Sequence, residues 1–127
     1  MSLPDLTRIR QGFASEHVAD VAGAVRQELE GCGVRVAGGS RIAVAVGSRG
    51  IADLATVVRE VVGWVRSQGG QPFLVPAMGS HGGATAQGQR RVLEQYGLTE
   101  AQVGAGIRSS MEVVELDRGD LEIPVYF

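Results

Sequence analysis

Apolar positions along the chain alternate between helical and extended spacing. Val18, Val21, Ala22, Val25 and Leu29 recur every three or four residues, one apolar stripe of a helix. Ser15 reads as its N-cap with Glu16 in the first turn, and Gly31 or Gly33 as its end. Arg41-Ile-Ala-Val-Ala-Val46 is a continuous apolar run bounded by glycines, the pattern of a strand buried on both faces. After the loop Gly47-Ser-Arg-Gly50, Ile51, Leu54, Val57, Val58, Val61, Val62 and Val65 mark a second amphipathic helix, closed by Gly69-Gly70. Pro72-Phe-Leu-Val75 predicts a second strand and Pro76 to Ala84 a glycine-rich loop. Thr85 then caps a third helix to about Tyr96, with Gly97 as terminator, and Thr99 with Gln102 fits a capping box for one more turn. Glu112 to Leu116 and Glu122 to Phe127 read as further strands. This order predicts an α/β chain whose strands run mostly parallel, with flanking helices.

Composition narrows the chemistry. The 127 residues suit one domain or part of one. A formal net charge of −2 gives no basic field to hold a nucleic-acid backbone. All 12 cationic side chains are arginine, so a Schiff-base lysine, a phosphate-loop lysine and a lysine-tethered cofactor are excluded within this chain. The single cysteine, Cys32, has no partner for an internal disulfide, and with two histidines it does not make a Cys/His zinc site. Met1 to Arg10 hold no apolar signal-peptide core, and runs such as Ile42 to Val46 are far too short to span a bilayer. The expectation is a cytoplasmic protein with no membrane partner. Ile123-Pro-Val-Tyr-Phe127 stops inside an apolar segment. Residues 1–127 are therefore expected to be a single N-terminal α/β domain, or a fragment of one, with its C-terminal remainder absent. An apolar face should then be left where the missing half, or an oligomer partner, packs.

Ligands of open parallel sheets bind beyond the carboxyl ends of the strands. Two unusual loops leave strand ends here. In Gly47-Ser48-Arg49-Gly50 an arginine follows a buried strand and precedes a helix, which suits an anion. The plainer reading is a solvated arginine, or one paired with Asp53. In Pro76-Ala-Met-Gly79-Ser80-His81-Gly82-Gly83-Ala84-Thr85, glycines flank a histidine, the side chain best suited to proton transfer near neutral pH. The loop matches neither the dinucleotide fingerprint nor a Walker loop. Its plainer reading is a tight turn with His81 as a bystander. His17, Cys32, Trp64 and Arg90-Arg91 read as surface or packing residues, and Ser109-Ser110 as turn residues.

Four segments carry a resemblance: Arg41-Ile-Ala-Val-Ala-Val-Gly-Ser-Arg-Gly-Ile51, Val75-Pro-Ala-Met-Gly-Ser-His-Gly-Gly-Ala-Thr85, Ser109-Ser-Met-Glu-Val-Val114 and Pro124-Val-Tyr126. Together they resemble the N-terminal domain of the lactate racemase family, over roughly residues 41 to 127. The resemblance implies a Rossmann-like segment of a two-domain isomerase with its active site between domains. It implies a nickel-pincer nucleotide that takes a hydride from the α-carbon of a small 2-hydroxy acid and returns it to either face. His81 corresponds to one of two acid/base histidines. Ser48 and Arg49 correspond to the loop contacting cofactor or substrate, and Gly79, Ser80, Gly82 and Gly83 to the second cofactor-side loop. Where the racemases have threonine and proline around the loop arginine and arginine after the loop histidine, this chain has Ser48, Gly50 and Gly82. The family's second histidine, its cofactor-bearing lysine and its nickel-ligand histidine belong to a later stretch. The chain alone is therefore expected to bind no nickel cofactor and not to turn over. The competing expectation is a non-catalytic phosphate- or nucleotide-binding module built on the same two loops.

Overall fold

The computed structural model describes residues 8–14, 16–117 and 119–126. Within them the chain is mixed α/β, with a three-stranded parallel sheet and helices. The first helix, α1 (Val21–Gly31), begins later than its apolar stripe predicts. Ser15 lies outside the described residues, and Glu16 and Val18 precede the helix. Asp20 is the N-cap, its side chain accepting the Gly23 N–H at 2.8 Å. A carboxylate there satisfies a first-turn donor, whereas Val18 is 59% exposed.

Strand β1 (Arg41–Val46), helix α2 (Leu54–Ser67), strand β2 (Gln71–Pro76) and helix α3 (Ala86–Gln95) follow the predicted alternation. Thr85 caps α3 as expected, accepting the Gly88 N–H. Thr99 caps the one-turn α4 (Glu100–Val103), accepting the Gln102 N–H and donating to the Gln102 side-chain oxygen. Two residues after α4 comes β3 (Gly106–Ile107), too short for any periodicity to reveal. The sheet order is β1-β2-β3, all parallel, with Val44 opposite Leu74 and Leu74 opposite Ile107. The two later strands form only in part, as β4 (Glu115–Leu116) and β5 (Val125–Tyr126), a separate antiparallel ribbon. Phe127 lies outside the described residues.

The core lies on one side of the sheet. Leu74, Leu93 and Leu98 are fully buried and pack with Val46, Val58, Val62, Val103 and Ile107. Helices α2, α3 and α4 all supply this layer. The other face of β1 is not buried, contrary to the reading of its continuous apolar run: Ala43 and Ala45 are exposed. Alternation along a strand sends them away from the helices, and the run was apolar only because alanine stands on that face.

An ionic cluster ties α3 and α4 to β3. Arg90 donates to Glu94 (3.2 Å) and Glu100 (2.7 Å), and the Ile107 N–H donates to Glu100. The Ile107 amide, then Arg90, holds the Glu100 carboxyl below its ordinary value. A carboxyl depressed on folding contributes stability that is full above its unfolded pKa and is lost as pH falls through the lower folded value. The urea midpoint should therefore drop on acidification below about pH 4.5, and Glu100→Gln should flatten that drop. An unchanged acid slope in the variant would remove Glu100 from the account.

Candidate functional site

Strands β1 and β2 leave the sheet at the same level. Val46 is in register with Pro76, and the Ala77 N–H donates to the Val46 carbonyl at 2.8 Å. The two loops singled out by sequence are therefore neighbours at the carboxyl edge of the sheet. Ser48, Arg49, Gly79, Ser80 and His81 line one cleft of about 370 Å³, with Ala77 and Met78. That is within the size range of small-molecule sites.

At its centre Ser48 Oγ is hydrogen-bonded to His81 Nδ1, a contact between residues 33 apart in sequence. The other ring nitrogen has no protein partner among the described residues, and the His81 side chain is exposed. One nitrogen is held while the other stays available to a ligand, as a proton-transfer residue requires. Arg49 is also exposed, and among the described residues no carboxylate pairs with it. The Asp53 pairing considered from sequence does not form. Asp53 instead precedes α2 in a left-handed conformation, φ 56°. Helix α2 starts at Leu54, five residues after Arg49, so the arginine does not sit directly on a helix end.

Two residues that sequence reading passed over hold this arrangement. The Tyr96 hydroxyl donates to the Ser48 carbonyl at 2.9 Å, tying the first loop to the end of α3. Gln89, only 7% exposed, donates from its side-chain nitrogen to the Gly79 carbonyl at 2.7 Å. Neither belongs to a motif. Each is recognisable only once α3 is seen to pack beneath both loops.

Gly82 and Gly83 do not line the cleft. They lie in the short turn His81–Ala84, with φ of 65° and 68°. Gly82 packs against the first turn of α3: a methyl group there would lie 2.6 Å from the Gly88 carbonyl oxygen and closer still to the adjoining backbone. Its absent side chain lets the loop fold onto the helix, which places His81. Ser109 is likewise structural, donating to the Ala86 carbonyl at 2.7 Å. Cys32 is exposed and donates its thiol to the Leu29 carbonyl. His17 is exposed and outside the cleft.

Among the described residues no three His, Cys, Asp or Glu side chains converge as a metal site, and no helix is long and apolar enough to cross a membrane. Compared with known proteins, the chain matches no family model, no curated protein and no solved structure.

Proposed function

We propose that this chain is a Rossmann-like N-terminal segment of a lactate-racemase-like isomerase, and that it supplies half of a site interconverting stereoisomers of a small 2-hydroxy acid. The Ser48–His81 hydrogen bond carries the reading. It joins two strand-end loops, leaves one imidazole nitrogen open, and sits in the same cleft as Arg49. A guanidinium fork suits the carboxylate of the acid. The open nitrogen then takes the proton of the adjacent hydroxyl and can return it; the α-carbon hydride would have to be taken up and given back by a redox group that the rest of the enzyme supplies.

By the resemblance, the groups that would tether and ligate the nickel-pincer nucleotide belong to a stretch beyond this chain. The chain has no lysine to tether it, and among the described residues no cluster of metal ligands. The steps assigned to this chain are thus binding of the acid and movement of its hydroxyl proton.

A second reading, a phosphate- or nucleotide-binding module without catalysis, is favoured by the backbone. The N–H groups of Gly79 and Ser80 beside Arg49 have no acceptor among the described residues. Titrating the chain with D- and L-lactate, and separately with inorganic phosphate, separates the two by NMR. The isomerase reading expects lactate to move the His81 ring signals, and Arg49→Ala to weaken that binding by about tenfold or more. Phosphate binding that His81→Ala leaves untouched, with no response to either lactate, would favour the module instead.

A further inference from the structure

The uncovered side of the sheet carries an inference independent of the cleft. Ala43, Ala45, Phe73 and Val75 lie on the face opposite the core, with Ala43 beside Phe73 and Ala45 beside Val75 in register. Ala43, Ala45 and Gly106 are exposed, and none of this face belongs to the buried core. Parallel sheets are almost always covered on both faces, and the usual cover is helical. The residues flanking Phe73 on β1 and β3 are small, Ala43 and Gly106, so a helix laid on this face can approach the sheet closely.

Two charges define what can enter. The Arg41 guanidinium lies 5.5 Å from the Phe73 ring centre, and that of Arg108 lies 4.8 Å from it. Both are exposed, and among the described residues no carboxylate pairs with either. A purely apolar cover would strip water from two cations without compensation. A second copy laid face to face would set these arginines against their own kind.

We propose that this face is a docking surface for an amphipathic helix of a partner protein, one whose aliphatic stripe is flanked by carboxylates. The stripe covers Ala43, Ala45, Phe73 and Val75, while the carboxylates meet Arg41 and Arg108.

The test uses the isotope-labelled chain and two synthetic helical peptides of about 18 residues. Both carry the same Leu/Ala stripe, flanked by Glu in one and by Lys in the other. The Glu peptide should shift the amide signals of Ala43, Ala45 and Val75, and bind about tenfold or more tighter than the Lys peptide. The double variant Arg41→Glu, Arg108→Glu should reverse that preference with its circular dichroism unchanged. Equal binding of the two peptides to the native chain would overturn the proposal. So would shifts confined to the α1 surface around Val25 and Leu29, or no binding by either peptide at about 1 mM. Concentration-dependent shifts of Ala43 and Ala45 without any peptide would assign the face to a second copy, and would equally overturn it.

Discussion

Gly82→Ala should lower the thermal midpoint of the chain by about 10 °C or more. Two costs combine. The φ of 65° at this position is unfavourable for any residue with a Cβ, by about 1 kcal/mol or more. The added methyl also meets backbone rather than a flexible side chain: the Gly88 carbonyl and the Gln89 nitrogen, both in the first turn of α3. Helix backbone gives way only if the turn shifts, so the total should reach about 3 kcal/mol or more. Gly83→Ala is the internal control. Its φ of 68° is equally unfavourable, but nothing lies within 4 Å of the methyl, so it should cost only about 1 kcal/mol. Equal losses in the two variants would show that conformation alone matters and that the contact with α3 does not. The site should feel the difference too. In Gly82→Ala the Gln89–Gly79 and Ser48–His81 hydrogen bonds depend on a loop that no longer seats, whereas Gly83→Ala should leave both in place.

On the proposed isomerase reading, His81→Ala in the intact protein should lower kcat by about 100- to 10,000-fold, the usual worth of a positioned acid/base group. The side chain is exposed, and among the described residues its hydrogen bond is to Ser48, so the fold should survive and circular dichroism should be unchanged. Ser48→Ala is expected to be milder, because it frees the ring without removing it. Arg49→Ala should act mainly through KM, since a guanidinium that holds a carboxylate contributes binding to ground and transition states alike. Turnover by His81→Ala at the native rate would end the acid/base role for this residue.

Most of the frame was legible because its signals are local. The stripe from Leu54 to Val65, the Thr85 and Thr99 caps, and the glycine-bounded run at β1 each specify an element without reference to the rest of the chain. Placing Ser48 and His81 at one edge also followed, since neighbouring parallel strands deliver their next loops to the same side. What stayed hidden depends on tertiary pairing. Strand β3 spans two residues and exists because β2 offers an edge to Gly106 and Ile107. Helix α1 is capped by Asp20 rather than five residues earlier, because the Asp20 carboxylate satisfies a first-turn donor while Val18 stays exposed. The exposure of Ala43 and Ala45 is not written in a run of small apolar residues, which reads alike whether one side or both are covered. Tyr96 and Gln89 looked like ordinary helix residues until α3 was seen beneath the loops.

The sole tryptophan of the chain has an optical consequence. Trp64 is half-buried on α2, and the clefts it borders are lined on their other side by Arg26, Leu29 and Glu30 of α1. Helix α1 contains no buried residue, and the ion pair that ties it to α2, Arg26 to Glu60, is partly exposed to solvent. Such a helix should detach before the Leu74–Leu93–Leu98 core opens. Intrinsic fluorescence is thus a readout of that first detachment. A denaturation curve followed by emission should lie at lower urea than one followed by ellipticity, and the gap between them measures how loosely the N-terminal helix is held.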